Sequence, residues 1–426
     1  MTEPGASNRV KKTPASWWAR LTAIGPAVVV AAGGVGAGDL ISALTSSARF
    51  GMTLLWAAVV GVVLKYVATE GLGRLYMASG ETILRSIRRV GLWLSVIFMV
   101  FLVIMGLLYG AALSSLVALA ANAMFPVMPE DAWAILFAIV AFLILLVGRY
   151  LVFEKFMFGF AILMFIGMVG TAAKTLTGLK NPAEFTAHLV PSLPQGSTVF
   201  VLAVLGGVGG TFGVASYGYW VRDKGWRGPA WIPTMRVDAT AAYVITFIFA
   251  FALFVIGSNF LFTTGTTISG EEGLLTLAAP LGNSLGTAFR WLFLIGFFFV
   301  AFSSLVGGFN ALSYLIADNV RILRKVPEEQ AEEYTSQNSL YFRAALVYVT
   351  FPSMAFTLTG EPVVIAVAYA AFGALILPIL AIVLLWHLNS KTLDRRYRNK
   401  ILSNVLLVLV LVVFSLLGVR EIIGLF

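Results

Sequence analysis

The chain has 426 residues, 59% of them hydrophobic and 12% charged, with a formal net charge of +9. A soluble domain carries about twice that share of charged residues, so a water-soluble globular fold is excluded. Cysteine is absent, which rules out disulfides, thiolate metal sites and thiol nucleophiles.

The first 19 residues are basic and polar. They lack the short apolar run with a small-residue cleavage site that marks a signal peptide, and read as a cytoplasmic tail. Apolar runs then recur, each of about 20 residues and so long enough to cross a ~30 Å hydrocarbon core as a helix. They predict eleven spans, at 20–48, 53–75, 92–125, 131–148, 153–175, 197–221, 236–262, 285–320, 340–358, 362–388 and 400–423. Polar connectors containing Pro or Gly, such as PVMPED and TTGTTISGEEG, separate them. The fold class expected is therefore an all-α polytopic membrane protein.

Lys and Arg set the orientation. With the N-terminus inside, inner segments carry clusters such as Arg85, Arg88 and Arg89, or Arg395, Arg396 and Arg398. Outer segments hold only Arg49, Lys174, Lys180, Arg290 and Arg420. This bias predicts a plasma (inner) membrane protein with a cytoplasmic N-terminus. It also accounts for the net charge through attraction to an anionic lipid surface, with no nucleic acid partner.

The tetrapeptide GGVG occurs in span 1 at 33–36 and in span 6 at 206–209. Each glycine in a helix gives up about 1 kcal/mol against alanine. Spans 1–5 and 6–10 then form two halves of opposite topology, because five is odd. Paired glycine-interrupted spans at matching positions of two halves point to a transporter's binding site. The expected organisation is a tail at 1–19, a first repeat at 20–175, a second at 197–388 and an extra helix at 400–426. The competing reading is that the glycines only let helices pack closely.

Polar residues follow both breaks. Gly36, Gly38, Asp39, Gly210, Thr211, Gly213 and Ser216 are the expected substrate-binding residues, with Tyr217 beside them. Lys65 lies midway along span 2, where a charge is costly and should face the bundle interior. It reads as a fixed charge near the path, as a partner of Glu70, or as a side chain reaching for an interface. Ser303, Ser304 and Asn310 of span 8 are candidates for a coupling-ion path, or simply hydrogen-bonding links between helices. His188 and His387 stand near span ends with no metal-site spacing. Enzymatic motifs such as HExxH or a Gly-x-Ser-x-Gly elbow are missing, and the connectors are short, so an enzyme is not expected. No cofactor is expected.

The segments IGPAVVVAAGG, SSARFGMTLLW, GRYLVFEK, LAAPLGNSLGTAF and FSSLVGGFNALS resemble the NRAMP family of metal-ion transporters. The resemblance covers nearly the whole chain and implies a LeuT-like inverted repeat. It also implies import of manganese or iron with protons, or of magnesium in a divergent branch. The family's ligands do not carry over. Its DPGN motif in span 1 falls on Gly36, Ala37, Gly38 and Asp39. Its Met-Pro-His run in span 6 falls on Gly213, Val214 and Ala215, and the next Asn on Ser216. Its acidic pair in span 3 falls on Gly110 and Leu113, and a later histidine on Trp220.

Transition metals are selected by nitrogen, carboxylate and sulfur ligands, and most of these are gone. Backbone N–H groups at the starts of the half-helices favour anions. The main expectation is therefore secondary active transport of a small anion such as bicarbonate. A sodium ion or proton at Asp39 would offset the membrane potential, which costs ~2.3 kcal/mol per charge per 100 mV. The alternative keeps Asp39 as a direct ligand in an oxygen-only shell for a divalent cation. Magnesium, which retains several waters, suits that shell better than manganese or iron. Transport of an organic solute on the same architecture is a third reading.

Overall fold

The computed structural model describes residues 37–147, 150–178, 189–265, 282, 286–358 and 362–424. Its helices are α1 (Ala37–Phe50), α2 (Leu55–Ser79), α3 (Ile83–Val90), α4 (Leu92–Met124), α5 (Glu130–Leu146) and α6 (Tyr150–Thr177). After these come α7 (Thr198–Gly207), α8 (Thr211–Asp223), α9 (Ile232–Phe260), α10 (Thr287–Leu323) and α11 (Ala331–Thr335). The last four are α12 (Leu340–Thr357), α13 (Pro362–Gly373), α14 (Ile376–Leu388) and α15 (Ile401–Gly424).

Among the described residues, five helical stretches are long and apolar enough to cross a membrane: Leu40–Ser79, Leu92–Met124, Pro229–Thr264, Thr287–Leu323 and Val363–Leu388. The first is divided by a 3-10 turn at Gly51–Leu54, where Gly51 has φ 58°. The helices follow the expected spans closely, and the chain is an all-α polytopic membrane protein.

Two groups of helices pack together. In one, α4 lies against α5, α10 and α12, and α10 also touches α5 and α12. In the other, α2 and α9 pack on each other, with α1 against α9 and α8 against α2. Helix α7 touches α1 and α2 in this second group, and α13 spans the gap between α7 and α4. The first group is built from long unbroken helices. At 33 and 37 residues, α4 and α10 extend for about 50 Å or more, well beyond a ~30 Å hydrocarbon core.

Span 10 differs from its expectation. The sequence predicts one helix over 362–388, but it is broken between α13 and α14. Around the break the backbone bonds shorten to three-residue spacing, with Ala374 N on Ala371 O at 3.2 Å, Leu375 N on Phe372 O at 3.0 Å and Leu377 N on Ala374 O at 3.1 Å. Pro378 explains part of this. It has no N–H to offer the Ala374 carbonyl, so Leu377 takes that acceptor and the turn tightens.

Two short helices, α3 and α11, were not expected. Between spans 2 and 3 the chain forms the short helix α3, which buries Ile83, Leu84 and Ile87. His387, in the last turn of α14, meets this helix through Nε2, 2.9 Å from the Ser86 carbonyl oxygen. That half-buried link fixes the end of span 10 on α3. His188 lies outside the described residues.

Candidate functional site: the break in span 6

Span 6 stops at Gly207 and restarts at Thr211. Val208 N still reaches Val204 O at 3.0 Å, and Gly210 N turns back to Gly207 O at 3.0 Å. Gly209 and Gly210 carry φ of 78° and 62°, which side-chain-bearing residues adopt only at a cost. A β-carbon on Gly209 would also stand 2.8 Å from Cε1 of Tyr243. Gly206 has a different task. A β-carbon there would run into the Ala370 carbonyl oxygen and come within 2.8 Å of Ala374 N. The end of α7 is thus pressed on the backbone at the break of span 10. The two readings of GGVG apply to different glycines: Gly206 permits close packing, whereas Gly209 and Gly210 permit the turn.

Lys65 is fully buried. Its Nζ donates to the Gly206 carbonyl oxygen at 2.6 Å. This places an ammonium at the C-terminal, negative end of the half-helix α7. One turn along α2, Thr69 Oγ1 is 2.7 Å from the Tyr243 hydroxyl, so Tyr243 closes over Gly209. Both alternatives read for Lys65 from sequence need correction. The side chain does not snorkel to an interface, and Glu70 is engaged by arginines instead. Arg74 Nε donates to Glu70 Oε2 at 2.8 Å and Arg236 Nε to Oε1 at 2.9 Å. Arg74 also donates to the Tyr397 carbonyl oxygen at 2.7 Å and to Asn399 Oδ1 at 2.9 Å, tying α2 to the segment before α15.

Among the expected residues, Gly210 lies in the break itself and Thr211 opens α8. Gly213 and Ser216 lie in the first turns of α8, each half-buried. Tyr217 is fully buried, and its hydroxyl donates to Asp238 Oδ2 at 2.8 Å. Gly38 and Asp39 stand in the first turn of α1, and Gly36 lies outside the described residues. Ser303 and Ser304 are half-buried in α10, and the Ser304 carbonyl accepts the Tyr109 hydroxyl. Asn310 Oδ1 accepts from Gln337 at 3.3 Å. The coupling candidates therefore divide between two places along α10.

Two buried carboxylates inside predicted spans, Asp238 and Asp318, escaped the sequence reading. Asp238 meets Tyr217, and Asp318 accepts from Arg321 Nε at 2.6 Å and from the Tyr219 hydroxyl at 3.3 Å. Their signal was present: Asp238 and Asp318 both fall inside predicted apolar spans, where a charge needs an explanation. Among the described residues, no group of three or more His, Cys, Asp and Glu side chains is arranged to hold a metal ion. Gly110, on which the resemblance places one of the family's span-3 acids, is closed sterically. A β-carbon on Gly110 would meet Ser353 Cβ at 2.5 Å and the Val349 carbonyl oxygen at 2.6 Å.

Broken membrane helices held against long unbroken ones are an arrangement found in transporters of the LeuT-like class. The family model described as "Natural resistance-associated macrophage protein-like" matches residues 27–424, and the chain belongs to that family of transporters. Among solved structures it is similar to a histidine-to-alanine mutant of the Eremococcus coleocola manganese transporter. The two share 15% identity at a TM-score of 0.69, over 97% of this chain and 88% of that one. The same transporter bound to an aromatic bis-isothiourea substituted compound gives a TM-score of 0.68 at the same identity and coverage. A nucleobase-cation-symport-1 family transporter with bromovinylhydantoin bound is similar at 12% identity and a TM-score of 0.59, over 95% and 93% of the two chains. No curated protein sequence matches.

These comparisons overturn the expectation of a small anion such as bicarbonate. The matched family and the manganese transporters among the similar structures are carriers of metal cations. The N-terminal, positive pole of each break is only one side of the site. The α7 side of span 6 presents the opposite pole, and its Gly206 carbonyl already holds a cationic group in Lys65.

Proposed function

We propose that the chain is a secondary active transporter of a divalent metal cation, bound between the breaks of spans 1 and 6. The observation that carries this reading is the family match across 27–424. The donor set narrows it. Span 6 offers hydroxyls and backbone carbonyls where the family has Met and His, and the described residues hold no cluster of metal-binding side chains. Oxygen-only ligation favours a hard cation that keeps part of its water shell, so magnesium is preferred over manganese and iron. Asp39 supplies the carboxylate. Gly36, Gly38, Gly210, Thr211, Gly213 and Ser216 contribute backbone and hydroxyl oxygens, with Tyr217 in support through Asp238. Coupling to sodium or protons is assigned to Asp39, with Ser303, Ser304 and Asn310 along the path. The two repeats run over 20–175 and 197–388, and the N-terminus faces the cytoplasm of a plasma membrane.

The test is uptake of magnesium and of manganese into proteoliposomes holding the full chain, with and without an imposed sodium or proton gradient. Saturable, gradient-dependent magnesium uptake that exceeds manganese uptake is the expected result. No uptake of either ion above empty liposomes would reject the reading.

A further inference from the structure

We propose that Lys65 is the resident cation of span 6: a tethered ammonium that fills the place a bound monovalent cation would take at the end of α7. The inference concerns the break proposed above as the cargo site, and its uptake arm rests on that reading.

Four observations carry it. Lys65 has no exposed surface, and a buried ammonium persists only where strong partners replace its water. Its Nζ lies 2.6 Å from the Gly206 carbonyl oxygen, within the last turn of α7. That turn carries the negative end of the half-helix dipole. The neighbouring carbonyls are already used, Val204 O by Val208 N and Gly207 O by Gly210 N. The lysine stem also runs past Gly209, its Cδ 3.6 Å from where a β-carbon on that glycine would stand, and Tyr243 stands over the same glycine.

The chemistry follows from the geometry. A helix broken inside a membrane exposes a pole of negative potential that needs a positive partner. An ion from solution meets that need only while it is bound. A lysine on α2 meets it permanently and holds α7 in register with α2. Lys65 is therefore a positioning residue: it keeps the α7 half of the break organised while the cargo binds and leaves.

The experiment uses the full-length protein in nanodiscs and proteoliposomes, with Lys65→Ala, Lys65→Met and Lys65→Arg. Lys65→Ala removes the equivalent of n-propylammonium and leaves a gap. Melting temperatures are read with n-propylammonium, sodium and choline, the last of which has no N–H to donate. Magnesium uptake is read in parallel. Lys65→Ala is expected to melt several degrees lower and to lose about tenfold in uptake, the scale of one charged hydrogen bond. Either n-propylammonium or sodium, but not choline, should raise its melting temperature and restore uptake, with no effect on the unmodified protein. Lys65→Met fills the gap without charge and should stay impaired under every condition. Lys65→Arg should retain most of the stability.

The proposal is overturned if Lys65→Met melts and transports like the unmodified protein, or if neither cation stabilises Lys65→Ala. The melting arm needs no cargo. Cation rescue of Lys65→Ala in the melting arm, with neither magnesium nor manganese taken up by the unmodified protein, would therefore reject the divalent-cation reading and leave the role of Lys65 standing.

Discussion

Gly206 and Ala370 meet backbone to backbone, where the breaks of spans 6 and 10 abut. The contact is between main-chain atoms, so no side-chain rotation relieves an added methyl group.

Gly206→Ala should therefore be severe. Overpacking of a tight site costs about 1–3 kcal/mol when neighbours can yield, and here the neighbour is a carbonyl oxygen. A large drop in melting temperature is expected, together with loss of transport. Ala370→Gly in the same chain should not recover it, because the obstructing atom remains.

Gly209→Ala fails for another reason and should be partly repairable. The positive φ costs about 1–2 kcal/mol for a residue with a β-carbon. The remaining clash is with the Tyr243 ring. Adding Tyr243→Leu removes that ring, so the double variant should melt above Gly209→Ala alone. If the two losses simply add, the ring contact is not the cause.

Glu70 is shared by a buried and an exposed arginine, and the two should differ in weight. The Arg74 side chain is 3% exposed and that of Arg236 is 45% exposed. Glu70→Gln strands the buried Arg74 and should cost about 3–5 kcal/mol. Arg236→Gln removes a largely solvated pair and should cost about 1 kcal/mol or less. Thermal melts of both variants in one detergent check the ranking.

Restoring the family's helix-3 acid should not restore its chemistry. Gly110→Glu places a side chain against Ser353 and the Val349 carbonyl, so the variant should be destabilised, with no gain in proton-coupled uptake. Ser353→Gly relieves only part of the conflict, since the Val349 carbonyl is main chain.

Asp39→Asn tests the coupling role proposed for that residue. Gradient-driven uptake should be abolished while exchange of cargo at equal concentrations is partly kept. Unchanged driven uptake would reject the role.

Much of the architecture was legible because the membrane imposes it. Hydrocarbon requires about 20 apolar residues per span and backbone bonding within each helix, so composition and run length alone define the all-α polytopic class. The break in span 6 was legible too, in the GGVG at 206–209, although the sequence left close packing open as a second use for those glycines. The break at Ala374 was not, because it comes from a tightened turn before Pro378 in an otherwise regular apolar run. Other points depended on which helices meet. Sequence placed Lys65 on span 2 but left its partner open among Glu70, an interface and the path. Only the packing of α2 on α7 puts its ammonium on the Gly206 carbonyl, because the partner lies 141 residues away. The same holds for Gly110, an apparent loss of a carboxylate that is also a point of helix contact with α12. Spans and one break follow from the local chemistry of the chain. The identity of each buried charge's partner is a property of tertiary packing, because desolvation forces a partner to exist without saying which helix supplies it.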